Sequence, residues 1–202
     1  MGLEKLPSVL TENNFLDNGL VETESGLFVP AYVASELGFN VPGRHYLSEV
    51  FYPALKQEGV LPLCPFAACA EYLDLATITN EEILVRELKK AWKEFNGLVG
   101  KVNYETLMPK AKFMIAIYDG SNASDDGVSA ETGYFAAKEQ RPIIGIRSDF
   151  RLSENIAAPV NPAVRYFIDG EPYDGCFFEG IDAYEGAHEQ IKSLADRIRD
   201  AA

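Results

Sequence analysis

Asp119, Asp125, Asp126 and Glu131 place four carboxylates within thirteen residues. Such crowding separates roles. A carboxylate that stays ionised acts as a nucleophile, while a neighbour whose pKa is raised by like-charge repulsion keeps a proton to donate. A nucleophile beside a proton donor is, in outline, what moving a glycosyl group requires. The plainer reading is that Asp119 ends a strand, that Asp125 or Asp126 caps a helix, and that the rest are solvated, since Asp commonly serves turns and helix N-termini. Glu131 resists that reading. It is expected in the first turn of a helix, where the positive end of the macrodipole favours the charged form. Its neighbours Ala130, Gly133 and Ala136 are small, so a ligand has room to approach.

These carboxylates need a strand, a loop and a helix to hold them. Residues 113–118 form a continuous apolar run ending at Asp119-Gly120, the pattern of a strand buried on both faces of a parallel sheet. Residues 120–127 are rich in Gly, Ser, Asn and Asp and read as a loop; residues 128–140 read as a helix. Ligands of open α/β sheets bind outside the carboxyl ends of the strands, where this loop lies.

The remaining chain repeats the alternation. Strands are expected at 28–35, at 60–66 (an edge strand or strand start, given Pro62), at 143–149 and at 163–169. Helices are expected at 44–57, at 81–95 capped by Asn80, and at 181–201, with a shorter amphipathic segment at 101–112. The fold class is therefore α/β: a flavodoxin-like, doubly wound, five-stranded parallel sheet with helices on both faces. Residues 1–27 lack sustained periodicity and are expected to be an N-terminal arm or small hairpin, with residues 28–202 as a single domain.

Composition narrows the partners. The chain has 202 residues, 47% of them hydrophobic, and a formal net charge of −13. That charge argues against nucleic acid or an anionic membrane as a partner. Cys64, Cys69 and Cys176 form no close pair of metal-binding type, and with His45 and His188 the only histidines, no metal site is expected. No G-x-G-x-x-G or Walker sequence occurs, so no cofactor is expected either. Reduced cysteines, no apolar run near the roughly 20 residues of a membrane span, and no basic-then-apolar N-terminus point to a soluble, cytoplasmic protein.

Three segments together resemble the nucleoside 2-deoxyribosyltransferase family. The first is Tyr32-Val33-Ala34-Ser35-Glu36-Leu37-Gly38-Phe39 with Gly43-Arg44, similar to the family's first strand and base-binding loop. The second is Asp119-Gly120 followed by Asp125-Asp126-Gly127-Val128-Ser129-Ala130-Glu131-Thr132-Gly133-Tyr134, and the third is residues 145–151 with Val160-Asn161-Pro162 beyond them. The resemblance covers about residues 30–170. It implies that Glu131 attacks the anomeric carbon of a 2′-deoxynucleoside, and that a free nucleobase then displaces the deoxyribosyl-enzyme with net retention. It implies that Asp119, or one of Asp125 and Asp126, protonates the departing base, with Asp125 favoured over Asp126 for a sugar-hydroxyl contact. Tyr32 resembles the residue that orients the nucleophile. Gly38 and Phe39 fall in the base-binding loop. Asn161 resembles an Asn that a neighbouring subunit contributes to the 5′ end of the sugar, which implies a homo-oligomer with shared active sites. The chain departs from the family at Asn103-Tyr104-Glu105, where an Asp or Asn-Asp contacts the base, and at Pro162 and the N-terminal arm.

Two other functions fit the same residues. A deoxynucleotide N-glycoside hydrolase would use water in place of the acceptor base and hold a phosphate with Arg44, Ser35 and the amides near Gly43. A nucleoside-sensing module would keep Glu131 only as a helix-start residue. Taken alone, Tyr32 and Trp92 read as core, Asn161 as a turn, His45 and His188 as structural, and Arg147, Asp149 and Arg151 as a solvated strand end.

Overall fold

A strand covered on both faces must be apolar at every position, and residues 113–117 meet that condition. The computed structural model describes residues 5–72, 84–120, 125–149, 158–171 and 173–202. Its strands are β1 (Asn14–Phe15), β2 (Val21–Thr23), β3 (Gly26–Ser35), β4 (Val60–Leu63), β5 (Phe113–Ile117), β6 (Ile143–Arg147) and β7 (Cys176–Glu179). β4, β3, β5, β6 and β7 lie side by side in that order, and every pairing among them is parallel. Five parallel strands are present, four of them where the sequence places strands, but among the described residues the sheet has seven, because β1 and β2 add an antiparallel hairpin against the start of β3. The chain leaves β3 first to one side and then to the other. The crevice at the carboxyl ends of β3 and β5 is therefore a topological switch point.

Alternation along the strands gives the sheet two cores. Tyr32, Ala34, Met114, Ala116 and Tyr118 face one layer; Val29, Ala31, Val33, Ile115 and Ile117 face the other. The helices are α1 (Ser8–Thr11), α2 (Val41–Tyr46), α3 (Tyr52–Gln57), α4 (Pro65–Ala70), α5 (Val85–Gly100), α6 (Asp126–Lys138), α7 (Pro162–Asp169) and α8 (Ala183–Asp200). Val128, Phe135 and Ala136 of α6 and Ile168 of α7 pack on the first face. Leu55 of α3 and Ala187, Ile191, Leu194 and Ala195 of α8 pack on the second. A π-helical turn, Leu47–Phe51, links α2 to α3, and a second, Lys101–Leu107, continues α5.

Three expectations are corrected. Residues 163–169 are a helix, not a strand, because Pro162 occupies its first turn and the Asn161 side chain caps it by accepting from the Ala163 amide. The outer parallel strand is instead β7, a short, half-buried Cys-Phe-Phe-Glu. Trp92 is 41% exposed rather than core, and none of the sixteen residues of its helix α5 is fully buried. Arg147 has no solvent exposure; its guanidinium donates to the Tyr118 carbonyl at 2.9 Å instead of lying at a solvated strand end. Pro62 does sit on an edge, since among the described residues β4 pairs only with β3. Asn80, Arg151 and much of the long connection after β6 lie outside the described residues. Among the described residues, no helix is long and apolar enough to cross a membrane.

Ile115 has no exposure on the central strand. Cutting it back to alanine is expected to cost about 2–5 kcal/mol in urea denaturation, and a loss under about 1 kcal/mol would contradict the central placement of β5.

Candidate active site

Helix α6 is the next described element of the chain after β5. Asp125, not Asp126, is its cap: the Asp125 carboxylate accepts from the Val128 amide at 2.8 Å. Thr132 pins the helix to the sheet, its hydroxyl lying 2.6 Å from that of Tyr118 and donating to the Val128 carbonyl at 2.8 Å. One residue earlier, Glu131 therefore points back over β3. The Tyr32 hydroxyl donates to Glu131 Oε1 at 2.8 Å, and the Asn103 amide donates to the same oxygen at 2.9 Å. Tyr32 is wholly buried and Asn103 is 5% exposed, so both donors are fixed by packing. Oε2 accepts no hydrogen bond among the described residues.

The charge distribution differs from the sequence expectation. Glu131 lies past the first turn of α6, so the helix dipole acts on it weakly. Its carboxyl is pushed up from 4.5 to about 7, chiefly by burial, with the Asp125 charge adding to the rise and the Tyr32 and Asn103 hydrogen bonds opposing it. The raised pKa thus falls on Glu131, the carboxyl that the sequence reading expects to stay ionised. Burial and the facing Glu131 also hold the Tyr32 phenol well above its usual range, so it remains a donor.

Asp119 is 8% exposed and does not bond to Glu131. One of its oxygens accepts from the Ser148 and Asp149 amides, both at 2.8 Å, and the other from the Ser148 hydroxyl at 2.7 Å. It ties the end of β5 to the end of β6. Asp126 is the exposed first residue of α6. Ser35 is 5% exposed, and its hydroxyl accepts from the Leu37 amide at 3.1 Å. Gly38 is buried because the Phe66 ring occupies the space a Cβ would need. Phe39 is 77% exposed and meets Phe66 edge-to-face, at 4.8 Å between ring centres. Arg44 is exposed on α2, and Asn161 caps α7.

The structure therefore joins Tyr32 and Glu131, sets Asp125 within electrostatic reach, and gives Asp119, Ser35 and Asn161 partners of their own. Asn103 enters the sequence reading only as a departure at the family's base contact, and its bond to Glu131 was not expected. Its signal was a polar side chain between Val102 and Tyr104 on an amphipathic segment that otherwise buries apolar residues. A groove of about 560 Å³ is walled by Gly97, Lys101, Tyr104, Ala130 and Tyr134, which include the chain neighbours of Asn103 and Glu131. Among the described residues, no three His, Cys, Asp or Glu side chains converge in a way that would hold a metal ion.

A carboxyl whose folded pKa of about 7 exceeds its ordinary 4.5 favours the fold most below pH 4.5, and that contribution is lost as pH rises through 7. Glu131→Gln keeps an acceptor for both donors and removes the titration. The variant is therefore expected to be more stable than the parent at pH 8, by a few kcal/mol, with the difference gone near pH 4.5. Denaturant melts at both pH values check this; an equal difference at both would contradict it.

The model of the nucleoside 2-deoxyribosyltransferase family matches residues 31–163. The matched stretch runs from β3 into α7 and contains Tyr32, Asn103, Asp119, Asp125 and Glu131. Among solved structures, the 2-desoxiribosyltransferase from Leishmania mexicana is similar, with a TM-score of 0.45 and 17% identity, covering 82% of this chain and 97% of that one. Comparison with curated proteins gives no match. With its match spanning well over half of the sequence, the chain belongs to the nucleoside 2-deoxyribosyltransferase family.

Proposed function

We propose that the protein exchanges the nucleobase of 2′-deoxynucleosides through a covalent deoxyribosyl-Glu131 intermediate, as a salvage enzyme of the cytoplasm. The observation that carries this reading is a glutamate held over the sheet by Tyr32 of β3, with one carboxylate oxygen unbonded among the described residues. Glu131 attacks C1′ of the sugar. The glycosidic C1′–N bond breaks, its electron pair leaves with the base nitrogen, and that nitrogen takes a proton from a neighbouring acid. The incoming base gives a proton back to the same acid, attacks C1′ and frees Glu131. Two displacements at one carbon retain its configuration.

Asp125 is the better candidate for that acid or for a sugar-hydroxyl contact, because it is the carboxylate whose charge Glu131 feels. Asp119, with three donors on its oxygens, holds the end of β5 against the end of β6. Exposed Phe39 is the candidate to stack on the base. Exposed Arg44 and Asp126 are candidate substrate contacts, and the Ser35 hydroxyl caps the turn into Gly38. Subunits associate and exchange Asn161 across their interface. The apolar side of α5, none of whose residues is fully buried, supports association. Three free cysteines fit a reducing compartment.

Incubation with thymidine and free adenine, followed by chromatography, tests the reading: new deoxyadenosine is expected, whereas free sugar alone would make the protein a hydrolase. Glu131→Ala is expected to lose at least ~10³-fold in turnover with the fold intact, and retention of most activity would contradict the mechanism. The acid limb of kcat/KM should fall near pH 7, rising with pH as Glu131 ionises. Mixing Glu131→Ala with Asn161→Ala subunits should recover activity through hybrid oligomers; no recovery after proven subunit exchange would rule out shared sites.

A further inference from the structure

Glu131 has two donors on one oxygen and, among the described residues, none on the other. Tyr32 comes from the sheet. Asn103 comes from the π-helical turn Lys101–Leu107, a wide turn of a kind that recurs at functional sites. Behind Asn103 stands Cys69 of α4, 7% exposed, whose thiol donates to Asn103 Oδ1 at 3.7 Å. This contact decides which way the amide faces. A carboxylate only accepts and a thiol is chiefly a weak donor, so the one orientation that serves both sends the NH2 to Glu131 and the carbonyl to Cys69. Burial pushes the Cys69 thiol up to about 12, so the proton that sets the orientation stays in place.

We infer that Asn103, oriented by Cys69, is a positioning residue that anchors Glu131 Oε1 together with Tyr32 and so makes Oε2 the oxygen that reacts. The Oε2 assignment rests on the reading of Glu131 as nucleophile; the Asn103 assignment does not. Two donors converging from different elements remove the freedom to exchange the two oxygens by rotation about the last side-chain bond. The free oxygen keeps its lone pairs for the sugar carbon, and the anchored one holds the negative charge that the departing carboxylate regains. Because the amide bonds to the ionised form, it also favours that form.

Titration of the Glu131 side chain, followed by NMR in protein carrying 13C-labelled glutamate, tests this without substrate. Glu131→Gln identifies the resonance by its disappearance. Asn103→Ala is expected to move the Glu131 midpoint up by about one pH unit, because the ionised form loses a donor. Asn103→Asp, nearly the same shape, is expected to move it further, since two carboxylates then share one buried site. Cys69→Ala should give a smaller shift in the same direction. In the exchange assay, Asn103→Ala should lower kcat by about 10- to 100-fold with KM nearly unchanged. Its acid limb should move up with the NMR midpoint. A midpoint unmoved in both Asn103 variants, with circular dichroism showing the fold intact, would overturn the assignment, since a purely structural residue lowers the melting temperature alone. A shifted midpoint with no base exchange would retire the transfer reading and leave Asn103 as assigned. Exchange with an unmoved midpoint would do the reverse.

Discussion

The hydrogen bond from Tyr32 to Glu131 joins the central sheet to the helix that follows it, and the rest of the site depends on it. It crosses 99 residues of chain at 2.8 Å. For it to form, β3 must lie beside β5 in the observed register, with Tyr32 paired to Met114, and α6 must seat on the same face through Thr132 and Tyr118. Each condition is a packing condition. The apolar run of β5, the cap at Asp125 and the small residues near Glu131 are the local sequence features that satisfy them.

The same packing sets the chemistry. Burial alone would leave a carboxyl neutral and poorly nucleophilic. Two donors partly offset that desolvation and bring Glu131 to about 7, where the ionised and neutral forms are comparably populated near neutral pH. A carboxylate of that basicity is a better nucleophile than a solvated one and is still available in its charged form. The opposition between a dry site and fixed donors also explains why the donors come from rigid parts of the fold: a strand for Tyr32, and a turn buried against the sheet for Asn103.

Much of this architecture was legible in the sequence. The strand and the helix within residues 113–138 announced themselves by an unbroken apolar run and an Asp cap. The flavodoxin-like order followed from alternating periodicities. The stretch Ala-Val-Arg-Tyr-Phe-Ile-Asp misled because its branched and aromatic residues suit a strand, while Asn161 and Pro162 decide in favour of a helix by cap and first-turn geometry. β7 was too short and too exposed to stand out. At the site, the role of Tyr32 could be reached only through the family resemblance, since a lone Tyr in an apolar strand looks like core. The shift at Glu131 and the Asn103 contact are tertiary facts: a polar side chain on a segment that buries apolar residues marks Asn103, but desolvation and the 28-residue approach to Glu131 are set by packing.

The central claim is that a bond forms between Glu131 and the sugar. The direct measurement is to incubate the protein with a 2′-fluoro-2′-deoxyarabinosyl nucleoside, which slows release of the intermediate, and to map the adduct by peptide mass spectrometry. The account predicts a single fluorosugar on the peptide containing Glu131 and none on the Glu131→Gln variant. An adduct on another side chain, or continued base exchange with no adduct at all, would contradict it.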